Sequence, residues 1–269
     1  MPKLWLIGGT QESRQLVEQL CVQKSPTVAL PHYLVSVTTE AARSLYPQSP
    51  SIQIWVGHLT LAAADKFVAQ HGVIAVLDAS HPFAVEISKL AIALAKRHHL
   101  AYLRYERPIV CAPETPWRDL RGRSGFLRLP KLQDVLTQQY LAAERTLLTL
   151  GYRQLPQFAP WQSQGTLWAR ILPSPIALQT ALANGFTPDR LIALRPPLSA
   201  ALETALWQQW RITQVITKAS GSAGGQKQKQ QIAAELGVRL IQIERPAIAY
   251  LQKTDCFDTA LQFALRYRT

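Results

Sequence analysis

Three short segments combine residue types that could do chemistry with positions that could expose them. The first is Gly8-Gly9-Thr10-Gln11-Glu12, directly after an apolar run. Glycines there let the backbone turn sharply and let a ligand approach the amides, and a helix start beyond them favours an anion. No third glycine completes the dinucleotide fingerprint G-x-G-x-x-G, so a plain tight turn is the competing reading. The second is Asp78-Ala79-Ser80-His81-Pro82-Phe83. His81 can give or take a proton near neutral pH. Alternatively, Asp78 or Ser80 caps a helix opened by Pro82, and His81 packs. The third is Thr217-Lys218-Ala219-Ser220-Gly221-Ser222-Ala223-Gly224-Gly225. Successive amides in such a loop cradle phosphate or carboxylate oxygens, with Lys218 adding charge and Ser220 and Ser222 adding hydroxyls. It lacks the Gly-Lys-Ser/Thr order of a Walker loop, and a flexible surface loop is the alternative. Lys227 and Lys229 beyond it read as a solvated helix face.

Other chemistries find no support in the residue pattern. Cys21, Cys111 and Cys256 are scattered, form no metal spacing with histidine, and read as unpaired thiols of a reducing compartment. His32, His58, His71, His98 and His99 make no ligand set, so no metal is expected. No Ser-His-Asp arrangement or site of paired carboxylates is visible.

The elements that must position these loops follow from periodicity. Apolar, β-branched runs read as strands at Lys3–Ile7, Tyr33–Thr38, Ile52–Val56, Val73–Asp78 and Ala101–Tyr105. Helical patterns at 11–21, 59–71 and 83–98 lie between them; Ile87, Leu90, Ala91 and Leu94 form the i, i+3, i+4, i+7 stripe of a buried helix face. Pro108 to Pro130 interrupts the pattern with prolines, glycines and arginines and reads as a connection. Beyond it, 131–142 reads as helix. Strands follow at 145–150, 165–171, 190–194, 214–217 and 239–243, with helices at 175–184, 199–210, 226–236 and 255–266. Strands alternating with helices predict right-handed crossovers and parallel sheets. The expected fold is α/β: two doubly wound, Rossmann-like parallel-sheet domains, 1–126 and 127–269, with a cleft between them.

The two halves rhyme. Asp78-Ala79-Ser80-His81-Pro82 is followed by helix, strand and Glu106-Arg107-Pro108. Thr217-Lys218-Ala219-Ser220-Gly221 is followed by helix, strand and Glu244-Arg245-Pro246. The spacings from Asp78 to Glu106 and from Thr217 to Glu244 are 28 and 27 residues, close enough to suggest related half-sheets.

Composition narrows the class. The 269 residues are 48% hydrophobic and 17% charged, which supplies a core and argues against a disordered chain. The opening residues lead straight into a strand, without a basic stretch, apolar core or cleavage site, and no apolar run is long enough to span a bilayer. The expected location is cytoplasmic. Basic residues number 29 against 17 acids, a net charge of +12. Residues 1–126 hold 13 basic and 9 acidic residues and 127–269 hold 16 and 8, which concentrates the excess in the second half. Arginine, the bidentate carboxylate and phosphate ligand, outnumbers lysine roughly two to one. Such a surface suits an anion: a nucleotide, a small poly-carboxylate or nucleic acid.

Taken together, the motifs resemble a family. Ile7-Gly8-Gly9-Thr10-x-Glu12, Asp78-Ala79-Ser80-His81-Pro82-Phe83-Ala84 and Leu103-Arg104-Tyr105-Glu106-Arg107-Pro108 are similar to segments of the precorrin-6A reductases of corrin-ring (cobalamin) biosynthesis. So, in the same order, are Leu148-Thr149-Leu150-Gly151 with Phe158, Arg170-Ile171-Leu172-Pro173, Thr217-Lys218-x-Ser220-Gly221 and Glu244-Arg245-Pro246. The resemblance spans nearly the whole chain. Gln11, Ser13 and the arginine-rich stretch 118–128 depart from the pattern.

The resemblance implies reduction of one carbon–carbon double bond of the corrinoid macrocycle of precorrin-6A or its cobalt form, giving precorrin-6B, with NADPH or NADH as cofactor. On that reading Thr217, Lys218, Ser220 and Gly221 hold cofactor phosphates, with Gly8, Gly9 and Thr10 as further contacts of the cofactor or of a substrate carboxylate. Ser80, Arg104, Arg107, Arg153 and Arg170 are candidates for the substrate carboxylates, and His81 or Asp78 for orienting the ring or relaying a proton. The expected partner is a small-molecule corrinoid poly-carboxylate, with neither nucleic acid nor membrane. Two readings compete: a nicotinamide-dependent reductase of another anionic substrate, and a basic nucleic-acid-binding protein. The latter lacks any recognised motif and any run of basic residues interleaved with aromatics.

Overall fold

Strand β1 (Lys3–Ile7) shows why the first sheet is parallel and buried. Leu4 and Leu6 point to one face and Trp5 and Ile7 to the other, and all four are buried. A strand that is apolar on both faces needs cover on both faces, which crossover helices provide. In the computed structural model, which describes residues 2–22 and 32–267, β1 leads to α1 (Gln11–Val22), β2 (Tyr33–Val37), α2 (Glu40–Arg43) and β3 (Ile52–Val56). Then come α3 (Leu61–His71), β4 (Val73–Asp78), α4 (Val85–Arg97) and β5 (Ala101–Tyr105).

The second sheet starts inside the expected connection with β6 (Phe126–Leu129), followed by α5 (Gln138–Leu141), β7 (Arg145–Thr149), β8 (Thr166–Ile171), α6 (Pro175–Ala183) and β9 (Leu191–Ala193). After α7 (Ala200–Gln209), β10 (Gln214–Lys218), α8 (Gln226–Leu236) and β11 (Arg239–Ile243), the chain ends with β12 (Lys253–Thr254) and α9 (Phe257–Leu265). Local chemistry marks several boundaries. Ser174 and Ser199 cap α6 and α7 by accepting amides three residues on, and Pro175 occupies the first turn of α6, where its missing N–H costs nothing.

Both sheets are wholly parallel and share one topology. Their orders are β12-β5-β4-β1-β2-β3 and β6-β11-β10-β7-β8-β9. Each order reverses once, between β1 and β4 and between β7 and β10. Beyond the carboxyl end of such a reversal, neighbouring loops diverge and leave a crevice for a ligand. Register places the halves in equivalence: Asp78 pairs with Arg104 and Thr217 with Gln242, so Glu106-Arg107-Pro108 and Glu244-Arg245-Pro246 end equivalent strands. The two doubly wound domains expected from the sequence are present.

Their boundaries differ from the expected division at 126. One compact unit is 1–108 with 247–269 and the other is 109–246, so the chain changes unit directly after each Glu-Arg-Pro. Residues 109–126 join the second unit because β6 pairs with β11 and the Trp117 ring N–H donates to the Val238 carbonyl at 3.1 Å. The tail joins the first because β12 pairs with β5, and Ala260, Leu261, Phe263 and Ala264 of α9 enter the core formed with β1, β2 and α1. The expected helix 131–142 is also divided. A 3₁₀ turn at 132–135, in which Asp134 accepts the Lys131 amide at 3.0 Å, is separated from α5 by Leu136 and Thr137. Aspartate and threonine satisfy local backbone groups in ways that compete with helix. Helix α4 starts at Val85 rather than 83, so neither Asp78 nor Ser80 caps it.

The assignment of α9 to the first unit predicts that Phe263→Ala destabilises that unit by about 3 kcal/mol, through lost burial and a residual cavity. Chemical denaturation should show a lowered midpoint; an unchanged midpoint would contradict this packing.

Candidate active site

At the first reversal, the turn after β1 is satisfied from within. Gly8 N–H donates to Ser36 O (2.9 Å), Gly9 N–H to the Tyr46 hydroxyl (2.7 Å) and Thr10 N–H to Ser13 Oγ (3.0 Å). Tyr46 and Ser13 hydroxyls lie 2.7 Å apart; with Ser13 donating to Thr10 O (2.8 Å), Tyr46 donates to Ser13. The Thr10 hydroxyl donates to Ala79 O (2.9 Å), tying this turn to the one after β4. Glycine is required here: Gly9 has φ +95°, and a Cβ on Gly8 would lie 2.4 Å from the Tyr46 oxygen. The sequence correctly located the turn; its three amides bond within the fold, and Gly8, Gly9 and Thr10 remain candidates for contact with a ligand.

The turn after β4 is organised by Asp78. Its Oδ1 accepts Arg104 Nη1 (2.8 Å) and the Ser80 amide (3.1 Å), and its Oδ2 accepts the Ser88 (2.7 Å) and Tyr102 (3.1 Å) hydroxyls. Burial, and next the Asp78 carboxylate, push the Tyr102 phenol far upward, so it stays a donor. Arg104 is 0% exposed. Its Nη1 also reaches Ser80 Oγ (3.0 Å), and its Nε lies 3.5 Å from Glu106. Burial pulls this guanidinium down, yet Asp78 and other neighbours hold it above its usual value. Its Nε and Nη2 lack hydrogen-bond partners, and the Tyr250 ring, 5.3 Å from Cζ, supplies a π face instead. Arg104 and Asp78 are therefore buried partners that order this turn. Ser80, itself buried, belongs to the same network rather than to an exposed contact.

His81 is half-buried and its Nδ1 accepts the Phe83 amide at 3.2 Å. That bond places the proton of the neutral ring on Nε2 and fixes the ring plane.

At the second reversal, β10 leads into the glycine loop. Thr217 lies inside the sheet and is buried. Gln226, at the start of α8, accepts the Gly221 amide (3.1 Å) and donates to Gln242 (2.7 Å) and Val110 O (3.2 Å). This buried amide anchors the loop. Ser222 and Ala223 open a 3₁₀ turn, and both are exposed. The first N–H groups of such a turn have no acceptor within it. The Lys218 ammonium is lowered to about 8, by burial and then by repulsion from Arg153, which is exposed after β7. A loop with exposed Ser222 and Ala223 beside Lys218 and Arg153 is a candidate for an anionic group.

The remaining arginines are engaged. Arg107 pairs with Glu12 (3.0 Å) and Arg170 with buried Glu203 (2.7 Å). Within 118–128, Arg121 and Arg123 both pair with Glu144 (2.9 and 2.8 Å), which turns much of that charge into internal scaffolding. Of the four arginines proposed for substrate, Arg153 is the exposed one. Lys229, expected on a solvated face, is buried and donates to Gly224 O at 2.7 Å. Sequence reasoning missed Lys229, Gln226, Tyr46 and Tyr102. Lys229 and Gln226 lie within one turn of a glycine pair, a spacing that could have marked them. Among the described residues there is no group of three or more His, Cys, Asp or Glu that could hold a metal, and no helix is long and apolar enough to cross a membrane.

Fold and loops define a doubly wound α/β protein of two parallel-sheet units. Residues 3–264 match the family described as Precorrin-6x reductase CbiJ/CobK. The chain is 43% identical to the cobalt-precorrin-6A reductase of Synechocystis sp., over 98% of this chain and 96% of that one. It is 32% identical to the cobalt-precorrin-6A reductase of Priestia megaterium, over 91% of each. A solved structure, CobK precorrin-6A reductase, matches with a TM-score of 0.76 at 23% identity, covering 100% of this chain and 98% of that one, a likeness of fold. The chain belongs to the precorrin-6x reductase family, whose members are oxidoreductases of cobalamin biosynthesis acting on a C=C bond.

Asp78→Asn should cost the protein about 3–5 kcal/mol, because it breaks the buried pair and leaves Arg104 only its longer contact with Glu106. Adding Arg104→Met should recover most of the loss. Urea denaturation checks both, and an unchanged midpoint for the single variant would contradict the pairing.

Proposed function

We propose that this chain reduces one C=C bond of cobalt-precorrin-6A, using NADPH or NADH. The observation that carries this reading is the 43% identity, over 98% of the chain, to a protein named for that substrate. The family is nicotinamide-dependent in general. A bound nicotinamide supplies the hydride; the second hydrogen arrives as a proton. The chain's own residues bind, orient and shield.

The phosphates are proposed to sit at the loop after β10, against Lys218, Gly221 and the amides of Ser222 and Ala223, with Ser220 shaping the turn. Arg153 is the proposed carboxylate contact of the macrocycle. His81 is the proposed proton-handling group, because Phe83 fixes its tautomer with N–H at Nε2. Asp78, its acceptor positions filled, orients the segment carrying His81. The net charge of +12 supports a poly-anionic ligand set.

Quenching of tryptophan fluorescence on titration with NADPH and with NADH measures the dinucleotide site, and the ratio of constants gives the preference. Lys218→Ala should weaken binding of the preferred cofactor about tenfold or more, as expected for losing a charged hydrogen bond of 1.5–3 kcal/mol. Unchanged affinity would remove Lys218 from the site.

A further inference from the structure

The second domain buries a lysine with which, among the described residues, no carboxylate forms an ion pair. Lys229 lies one turn into α8 and is 2% exposed. Its Nζ donates to Gly224 O (2.7 Å) and more weakly to Gly225 O (3.4 Å). Carbonyls solvate an ammonium but do not neutralise it. The acid that acts on Lys229, Glu203 of α7, is already engaged by Arg170 Nη1 (2.7 Å) and Gln228 Nε2 (2.9 Å). Among the described residues no carboxylate forms an ion pair with Lys229. Arg170 of β8 faces the same ammonium and repels it. The start of an 11-residue helix adds the positive end of the macrodipole. Buried charges in folded proteins are normally paired, so the missing partner is to be sought outside the chain.

The loop is built around this ammonium. Gly225 has φ +69°, and a Cβ on it would lie 3.2 Å from Nζ; a Cβ on Gly224 would lie 2.1 Å from Ser220 Oγ. The backbone therefore comes down onto Lys229 where only glycine fits, and this fold presents Ser222 and Ala223 outward.

We propose that Lys229 is the positioning residue of the 219–225 loop and the buried counter-charge of the anion the loop receives, a cofactor phosphate or a macrocycle carboxylate. This rests on the reading of the loop as an anion site. The consequence is a proton linkage. Burial first, then Arg170, lowers Lys229 to about 8 against the opposing pull of Glu203; Lys218, on the same loop, is lowered to about 8 by burial and Arg153. An arriving anion favours the charged lysines and raises both values. Affinity is then full below pH about 8 and falls as pH climbs through it, and binding near that pH takes up protons.

The test is calorimetric titration of the full-length protein with NADP⁺ and, separately, with uroporphyrin as a poly-carboxylate probe, in buffers of different ionisation enthalpy. The wild type should take up protons with one of these ligands, which identifies the source of the anion. Its Kd for that ligand should rise about tenfold or more between pH about 7 and about 9.5. Lys229→Gln, which keeps a donor for Gly224 O, should bind that ligand at least about tenfold more weakly and with reduced proton uptake. A folded Lys229→Gln protein with wild-type affinity and proton uptake would overturn the proposal, as would a wild-type Kd flat across that pH range, which needs no variant. Binding of neither ligand by the wild type would overturn the anion-loop reading itself, and this inference with it.

Discussion

The ion pair between Asp78 and Arg104 is the interaction on which the carboxyl end of the first domain's sheet depends. It joins the last residue of β4 to its register partner on β5 with both side chains fully buried. Desolvating two charges is costly, and the pair persists because hydrogen bonds surround it: Ser80, Ser88 and Tyr102 on the carboxylate, Tyr250 across the guanidinium. Through the Ser80 amide this network sets the path of the segment that carries His81, and through the Ala79 carbonyl that segment holds Thr10. The turns after β1 and β4 are thus one hydrogen-bonded unit.

The equivalent end of the second domain follows the opposite design. Where the first domain has Asp78 and Arg104 in register, the second has Thr217 and Gln242, so the buried ion pair is replaced by neutral groups. Charge appears in the loop instead, as Lys218 beside Arg153 and as Lys229 beneath Gly224. One fold used twice therefore yields one end built on a buried ion pair and another where the cations lie in the loop itself. The glycine turn and the glycine loop look alike as strings of small residues, but their amides have different destinations.

Much of this was legible before the structure. Strands buried on both faces are short continuous apolar runs, and helices between them carry a stripe, so the doubly wound order and both glycine segments could be read directly. The echo of Asp78…Glu106-Arg107-Pro108 in Thr217…Glu244-Arg245-Pro246 marked a true equivalence. The unit boundaries were not legible, because β12 has two residues and β6 has four, too few to show any period. Nor was the burial of Lys229, since Gln226–Gln231 is polar at every position and no apolar periodicity marks its inner face. Arg104 carried a readable signal: an arginine within Ala-Tyr-Leu-Arg-Tyr, a strand covered on both sides, must be paired internally.

The most direct measurement of the central claim is mass spectrometry of the macrocycle after anaerobic incubation of the protein with cobalt-precorrin-6A and a nicotinamide cofactor deuterated at the transferring position. The account predicts a product heavier than substrate by one deuterium and one hydrogen, with the deuterium bound to carbon. Recovery of the macrocycle without deuterium, from protein shown to bind both ligands, would contradict it.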